Sequence, residues 1–200
     1  MLLREIHHRV KNNLAWVSSL MGFQGRHAKD EYHRMMFIES QDRIRSMALA
    51  HEQLLLSENL YEINSRDYFS GLVEHLSSRL GHVGSHIRFQ SRIAELNLDL
   101  ETGATLGRIV TELVTNCYKR AFPGDGPGTI TLTLKEVDDS TLELSTADNG
   151  VGLPEETGFQ KPNTLGLDLV RIFSRQLCAQ FDVRRDRGTD IILRLNRRPK

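Results

Sequence analysis

Apolar residues in the first third of the chain recur every three or four positions, which predicts helices with one apolar seam each. A first pattern of this kind starts at Leu2, and after a polar break around 25–30 a second runs from about Glu31 to Ser57. Two such helices joined by a short break predict an antiparallel hairpin. Because two helices alone cannot bury both faces of their apolar stripes, we expect a second copy to complete a four-helix bundle. The seam of the first helix comprises Leu3, Ile6, Val10, Leu14, Val17 and Met21.

The pattern becomes mixed after Tyr61, where helical periods and strand-like alternation both occur. The segments do not follow strict βαβ alternation, so we predict an α+β sandwich in which helices cover one face of a mixed sheet. We place a domain boundary near residue 60, with a helical hairpin over 1–60 and a mixed domain over 61–200. Helices are predicted over 65–80, 101–121 and 165–179, and strands over 86–93, 96–100, 129–137, 141–147, 180–185 and 189–195.

Composition narrows the class of protein without giving its function. Hydrophobic residues make up 39% and charged residues 26% of the 200, a globular balance. Lys and Arg total 26 and so do Asp and Glu, so no basic excess favours nucleic acid or direct membrane contact. No signal peptide or membrane span is evident, and we expect a cytoplasmic location for this segment. Cys117 and Cys178 lack metal-ligand spacing, so we expect two free, buried thiols on helices.

One histidine in the first helix is predicted to face solvent. At about 100° per residue, His7 falls on the flank of the apolar seam and His8 nearly opposite it. Asn12 lies one turn along from His8 on the same face, and Glu5 lies close by. An exposed imidazole beside a carboxylate and an amide can be polarised, protonated or phosphorylated, although an ordinary surface histidine would fit the same pattern. The adjacent histidines do not have the i, i+4 spacing of a helical zinc site.

A second group of residues, later in the chain, has the order of a nucleotide site. Glu112 and Asn116 share one helix face and can present oxygens to a hard cation such as Mg²⁺. Asp148 follows a strand, and the glycines after it allow a flat ring or a backbone to approach closely. Gly166 opens a helix whose N-terminal N–H groups can receive phosphates. Each feature alone has an ordinary structural explanation, but the four together, with Gly188-Thr189 between strands, favour a site.

These segments resemble two motifs of one enzyme family. The segment EIHHRVKNNL (5–14) is similar to the phosphoacceptor box of the HWE-related histidine kinases, whose core is HRVKN. The segment TELVTNCYKRAFP (111–123) is similar to their N box, commonly NELVTNALKHAFP. The resemblance implies a two-component sensor kinase core: a dimerisation and phosphotransfer hairpin followed by a Bergerat-fold ATP-binding domain, the fold shared with DNA gyrase B and Hsp90. It also implies ATP and Mg²⁺ as cofactors, and a response-regulator receiver domain and a second copy of the chain as partners.

The resemblance gives roles to the helical hairpin. His8 would be the phosphoacceptor, because it directly precedes Arg-Val-Lys-Asn. Many histidine kinases carry an acidic residue after that histidine, but here the position is Arg9, and we predict Glu5 as its substitute. Asn12 occupies a position associated with phosphatase activity.

The resemblance also gives roles to the second group of residues. Asn116 would coordinate Mg²⁺, Glu112 would position the cation or a water, and Asp148 would accept a hydrogen bond from the adenine amine. The remaining predicted nucleotide contacts are Gly150 and Gly152 for the base, Leu165, Gly166 and Leu167 for the phosphates, Thr189 as a partner of Asp148, and Lys119 and Arg120 for phosphate charge. The lid of the site would lie at 153–163.

The N box also departs from the family pattern. Thr111 replaces its usual first Asn and Arg120 its usual His, while Cys117 and Tyr118 replace Ala and Leu. A degenerate kinase that binds nucleotide as a regulatory scaffold is therefore the alternative. An ATPase or serine-directed kinase on the same fold would not explain the exposed histidine in a hairpin. Because the phosphoacceptor box begins so near residue 1, we expect a longer parent protein, which could be membrane-anchored.

Overall fold

The chain divides into two compact units in the computed structural model, which describes residues 2–57, 61–80, 86–124, 126–153 and 164–197. The first unit comprises Met1–Leu72 and Leu96–Thr111, and the second comprises Val73–Glu95 and Glu112–Lys200. Each unit is therefore built from two separate stretches of sequence.

The first unit contains the predicted helical hairpin. Helix α1 spans Leu2–Arg26 and helix α2 spans Glu31–Leu56, as the apolar periodicity indicates. Asp30 caps α2, since its side chain accepts a hydrogen bond of 2.9 Å from the backbone N–H of His33. Strand β1, Glu62–Asn64, was not predicted; it pairs antiparallel with β3, Asn97–Asp99.

Two further helices begin in the first unit and end in the second. Helix α3 spans Ser65–Leu80 and α4 spans Leu100–Asn116. Asp99 caps α4 through bonds from the backbone N–H and the hydroxyl of Thr102, at 2.9 and 2.7 Å. The predicted helix over 101–121 continues beyond α4 as a π-helical turn, Cys117–Ala121.

The second unit contains a five-stranded sheet in the order β2-β4-β5-β7-β6. Strands β2 and β4 are parallel, and the other neighbours are antiparallel. The alternation along β4 buries Ile130, Leu132 and Leu134 almost completely, which is why this strand was predictable. The bounds are β2 Ile87–Ile93, β4 Gly128–Asp138, β5 Thr141–Asp148, α5 Leu165–Gln176, β6 Gln180–Arg184 and β7 Thr189–Asn196.

The prediction of two buried, helical thiols was wrong for Cys178. Helix α5 ends at Gln176, and Cys178 is exposed with a φ of 51°. The N–H groups of Cys178 and Ala179 bond back to the carbonyls of Arg175 and Ser174, which closes the helix so that β6 can begin at Gln180. This position usually holds glycine, so the sequence carried no stop signal there. Cys117 is buried as expected, but in the π-helical turn.

Among the described residues, no helix is both long enough and apolar enough to cross a membrane.

Candidate functional site

The structure places the two adjacent histidines of α1 on different faces, as the helical wheel predicted. His7 is buried with 9% of its surface exposed, and His8 is exposed. His8 Nδ1 lies 3.3 Å from Asn12 Nδ2, one turn along the helix. The structure therefore brings the predicted phosphoacceptor and Asn12 together in solvent.

Glu5 has a different partner. Its Oε1 accepts a hydrogen bond of 2.8 Å from Arg9 Nε, on the exposed face of α1. Arg9, which stands where an acidic residue was expected after His8, thus binds the carboxylate of Glu5, the residue that we predicted as the substitute. The role of Glu5 as the acceptor for His8 stays a prediction.

The second predicted group converges within the second unit. The end of α4, the π-helical turn, the loop after β5, the start of α5 and the start of β7 surround one cavity of about 40 Å³. Its lining is mostly apolar with a few polar groups. The cavity is lined by Leu113, Asn116, Cys117, Arg120, Ala121, Asp148, Gly152, Leu153, Leu167, Thr189 and Ile191.

Asp148 is the polar centre of this cavity, and its carboxylate is held from both sides. Oδ1 accepts from the backbone N–H groups of Gly150, at 2.9 Å, and Thr189, at 3.4 Å. The thiol of Cys117 donates to Oδ2 at 3.5 Å. Burial, with the charge of Asp148 beside it, raises the pKa of the Cys117 thiol, so this group remains an S–H donor. The carboxylate is fixed with acceptor capacity left over on Oδ2.

Glycines are needed at two places because backbone atoms approach from neighbouring elements. A β-carbon on Gly150 would lie 2.0 Å from the carbonyl oxygen of Ala121, which also accepts from the N–H of Val151 at 2.8 Å. A β-carbon on Gly188 would lie 2.0 Å from the carbonyl oxygen of Asp148, and its φ is 98°. The loop after β5 is therefore packed against the π-helical turn and the start of β7.

The polar end of the site lies where α4 meets the start of α5. A β-carbon on Gly166 would lie 2.8 Å from Glu112 Oε2 and 3.7 Å from Asn116 Nδ2. Glu112 is 5% exposed, and Asn116 Nδ2 is buried without a hydrogen-bond partner. A buried amide with an unused donor beside a helix N-terminus fits a polar, anionic ligand.

These residues also fit a magnesium–nucleotide complex. The described residues hold no cluster of three or more His, Cys, Asp or Glu that could bind a metal alone. Mg²⁺ commonly takes one or two protein oxygens and completes its shell with water and substrate phosphates. Glu112 and Asn116 supply such oxygens, so they would hold the cation only together with phosphates.

Not every predicted residue reaches the cavity. Arg120, Gly152, Leu167 and Thr189 line it, as do Asn116 and Asp148. Glu112, Gly150 and Gly166 are outside its lining, and so are the exposed side chains of Lys119 and Leu165. The predicted lid falls largely on residues outside the described part of the chain. Sequence reasoning missed two contributors, the Cys117 thiol as a partner of Asp148 and the carbonyl of Ala121; the unusual Cys in the N box was a signal for the first.

Comparison with known families agrees with this geometry. Residues 5–80 match a family model described as histidine kinase, and residues 101–199 match one described as histidine kinase-, DNA gyrase B-, and HSP90-like ATPase. The chain is a sensor histidine kinase core. Its first matched segment contains His8, and its second contains the whole lining of the cavity.

Relatives of this kinase core include longer proteins. It is 34% identical over 198 residues to the sensor histidine kinase PdtaS of Mycobacterium tuberculosis (strain CDC 1551 / Oshkosh), covering 96% of this chain and 39% of that protein. It is 24% identical to the blue-light-activated histidine kinase 2 of Erythrobacter litoralis (strain HTCC2594), covering 97% of this chain and 56% of that protein. The kinase core thus spans well under two thirds of the length of these relatives.

Solved structures share the fold. The histidine kinase domain of the Erythrobacter litoralis EL346 blue-light activated histidine kinase matches with a TM-score of 0.74 at 23% identity. The match covers 96% of this chain and 92% of that domain. A helical N-terminal region followed by an α/β ATP-binding domain is therefore the architecture of the kinase core, as expected.

Proposed function

We propose that this core transfers the γ-phosphoryl group of Mg-ATP to His8 and then to an aspartate of a response-regulator receiver domain. The observation that carries the proposal is the exposed His8–Asn12 pair in a chain that also carries the Asp148 cavity with its unused Asn116 amide. An exposed imidazole and an adenine-type pocket are the two halves that such a reaction needs.

The Asp148 cavity would bind the nucleotide. Oδ2 of Asp148 accepts a hydrogen bond from an exocyclic amine, and the apolar walls cover the flat base. Asn116 and Glu112 would hold Mg²⁺, and Arg120, which lines the cavity, would neutralise phosphate charge. The bound Mg²⁺ would supply charge neutralisation and alignment of the phosphates for in-line transfer.

Asn12 would set the reactive form of His8. A neutral imidazole carries a proton on one ring nitrogen and a free lone pair on the other. The hydrogen-bond partner of one nitrogen determines which of the two carries the proton. In the structure Asn12 Nδ2 faces Nδ1; with the amide rotated by about 180°, its oxygen would accept the Nδ1–H and leave the lone pair of Nε2 free for phosphorus. A new N–P bond then forms as the bond to the ADP oxygen breaks, and the Nδ1–H···O bond stabilises the positive charge on the ring.

We also propose that the hairpin forms a dimer and that the domains divide near residue 60, into 1–60 and 61–200. Support for the dimer comes from large apolar side chains that are exposed on both hairpin helices. A second hairpin would cover them in a four-helix bundle. They are Leu2, Ile6, Trp16, Leu20, Phe23, Tyr32 and Met36.

The structure gives the degenerate alternative no specific support. Thr111, the main departure in the N box, is buried and donates its hydroxyl to the carbonyl of Gly107 within α4 at 2.8 Å. It does not line the cavity, so its identity leaves the polar groups of the site unchanged. Arg120 keeps a positive charge where the family commonly has His.

The test is incubation of the full chain with Mg²⁺ and γ-labelled ATP, with the label examined for acid lability. We expect acid-labile label on the parent chain, none on His8→Ala, and normal label on His27→Ala, which removes the exposed histidine directly after α1. Asn116→Ala should lose the label while keeping its fold by circular dichroism. Label that survives in His8→Ala, or nucleotide binding without label in any variant, would contradict the proposal.

A further inference from the structure

A buried pair of histidines joins the two helices of the hairpin directly beside the phosphoacceptor. His7 Nδ1 on α1 lies 3.1 Å from His51 Nδ1 on α2, and the ring centroids are 5.3 Å apart. His7 is 9% exposed and His51 is half-buried. The function proposed above leaves both of these side chains without a role.

The chemistry of this contact allows only one proton between the two nitrogens. A hydrogen bond between two imidazole nitrogens needs one N–H and one lone pair. If both Nδ1 atoms carried protons, two N–H donors would face each other without an acceptor, and if both rings were fully protonated, two cations would also repel each other at this distance. Burial, with the charge of His7 added, lowers the pKa of His51, in keeping with a pair that resists full protonation.

The charged groups around the pair do not offset a second proton. Lys11 lies one turn after His7 on α1, and Glu52 directly follows His51 on α2. These two side chains form an ion pair of 2.7 Å between the helices. Glu5 and Arg9 pair with each other on the exposed face of α1. Of the charged groups near His51, His7 is the one that shifts its pKa. Proton uptake therefore acts on the His7–His51 contact itself.

The contact fixes the rotation of α1. Consecutive residues of a helix point about 100° apart, so a His7 side chain held against α2 leaves His8 in solvent. The apolar seam of α1 is only partly covered in the hairpin: Ile6 is 46% exposed. Within one hairpin, burial of the seam therefore constrains the rotation of this part of the helix only weakly, and the polar contact sets that rotation before a second hairpin covers Ile6.

We propose that His51 is a positioning residue for the phosphoacceptor helix: its hydrogen bond to His7 holds α1 at the rotation that presents His8, and protonation of both rings releases it. The positioning role rests on the function proposed above, whereas the anchoring of α1 by the pair does not.

The direction of the pH effect follows from the two states. In the unfolded chain His51 titrates near its ordinary value of about 6.5, while in the folded chain its pKa is lowered. As the pH falls through 6.5 the unfolded state takes up the proton first. The stability contributed by the pair is thus fully present above this range and is lost as the pH falls below it.

The variants separate the hydrogen bond from the titration. His51→Asn places an amide oxygen near the position of Nδ1, where it can accept from His7 but cannot take up a proton. His51→Leu removes the polar contact altogether. Glu52→Gln is the matched control, since it weakens the neighbouring ion pair between the same helices without adding a group that titrates near pH 6.

The experiment measures thermal unfolding, imidazole NMR titration and acid-labile labelling from Mg-ATP between about pH 5.5 and 8, a range centred on the ordinary histidine pKa. When the pH is lowered across this range, the melting temperature of the parent chain should fall by about 2–4 °C more than that of His51→Asn. Its labelling should fall further than that of His51→Asn, by roughly threefold to tenfold, the equivalent of one hydrogen bond. His8 must itself be neutral to react, but this requirement is common to both chains and cancels in the comparison. His51→Leu should label poorly at every pH, and Glu52→Gln should keep the parent's acid profile.

Three results decide the inference. Identical acid profiles for the parent and His51→Asn, with label present, would overturn it while leaving the proposed function standing. A His51 that titrates as a free histidine in the NMR experiment would also overturn it. In the third result no chain is labelled, but the loss of stability at low pH that the parent shows is absent in His51→Asn. The proposed function then fails, whereas the anchoring of α1 by the pair is upheld.

Discussion

Gly107 and Tyr68 give a sharp test of how the first unit is packed. Tyr68 is completely buried, and its hydroxyl donates to the carbonyl of Ser46 on α2 at 3.0 Å. Burial raises the pKa of this hydroxyl, so it remains a donor. A β-carbon on Gly107 would lie 1.8 Å from Tyr68 Oη, 2.7 Å from Cζ and 2.9 Å from Cε1. The ring therefore reaches Ser46 only because position 107 has no side chain.

Gly107→Ala should destabilise the protein by about 2–4 kcal/mol. Overpacking of a filled core costs about 1–3 kcal/mol. Displacing the ring also leaves a buried hydroxyl without its partner, which costs about 1–3 kcal/mol. The better helix propensity of alanine returns only about 0.5–1 kcal/mol.

A double-mutant cycle tests the mechanism. Tyr68→Phe alone loses one hydrogen bond, about 0.5–1.5 kcal/mol. In Tyr68→Phe/Gly107→Ala the nearest clashing atom, the tyrosine oxygen, is absent, although two ring carbons remain close. The double variant should therefore be destabilised by at least about 1 kcal/mol less than the sum of the two single variants. Gly71→Ala in α3 is the control: its β-carbon would meet no atom within 4 Å, so it should stabilise by up to about 1 kcal/mol.

The assay is urea unfolding followed by far-ultraviolet circular dichroism. A Gly107→Ala variant within about 0.5 kcal/mol of the parent, the typical range of a surface substitution, would refute the packing argument. Strict additivity in the cycle would refute the assignment of the clash to the tyrosine ring.

Three further predictions concern the proposed nucleotide site. Asp148→Asn should weaken ATP binding roughly 10- to 100-fold by calorimetry, because an amide replaces a charged acceptor, and unchanged affinity would contradict its role. Gly150→Ala should lower the melting temperature and abolish binding, because its β-carbon would lie 2.0 Å from the Ala121 carbonyl oxygen; a stable variant that binds ATP would show that the loop can move aside. Cys117→Ser keeps a hydrogen-bond donor to Asp148, so it should bind ATP with an affinity within about threefold of the parent's. Cys117→Leu fills the cavity and should not bind ATP. Equal binding by both variants would contradict a place for Cys117 in the binding pocket.

The features that the sequence predicted well depend on local periodicity or on residues close together in the chain. The exposed face of His8 followed from the helical period, because the seam and the histidine lie on the same short helix. The shared helix face of Glu112 and Asn116, which both lie against Gly166, followed from their spacing of four. The unpredicted contacts depend on the tertiary fold: His51 meets His7 from 44 positions away, and β1 is three residues long with a partner strand more than thirty residues on. No local pattern encodes such a pairing.

The π-helical turn explains why a correct helix prediction still missed part of the site. A wider turn at Cys117–Ala121 shifts the residues after Asn116 relative to a regular α-helix, and such turns are frequent at functional sites. Here the carbonyl of Ala121 accepts from the N–H of Val151 instead of bonding within a continuing helix. The same turn places the thiol of Cys117 against Asp148. The end of the helix that carries Asn116 is thereby bonded to the end of β5, at Asp148, and to the loop after it, at Val151. Backbone atoms of residues with no chemistry of their own thus fix the position of Asp148 relative to the helix end that carries Asn116, and a search for reactive side chains would not find them.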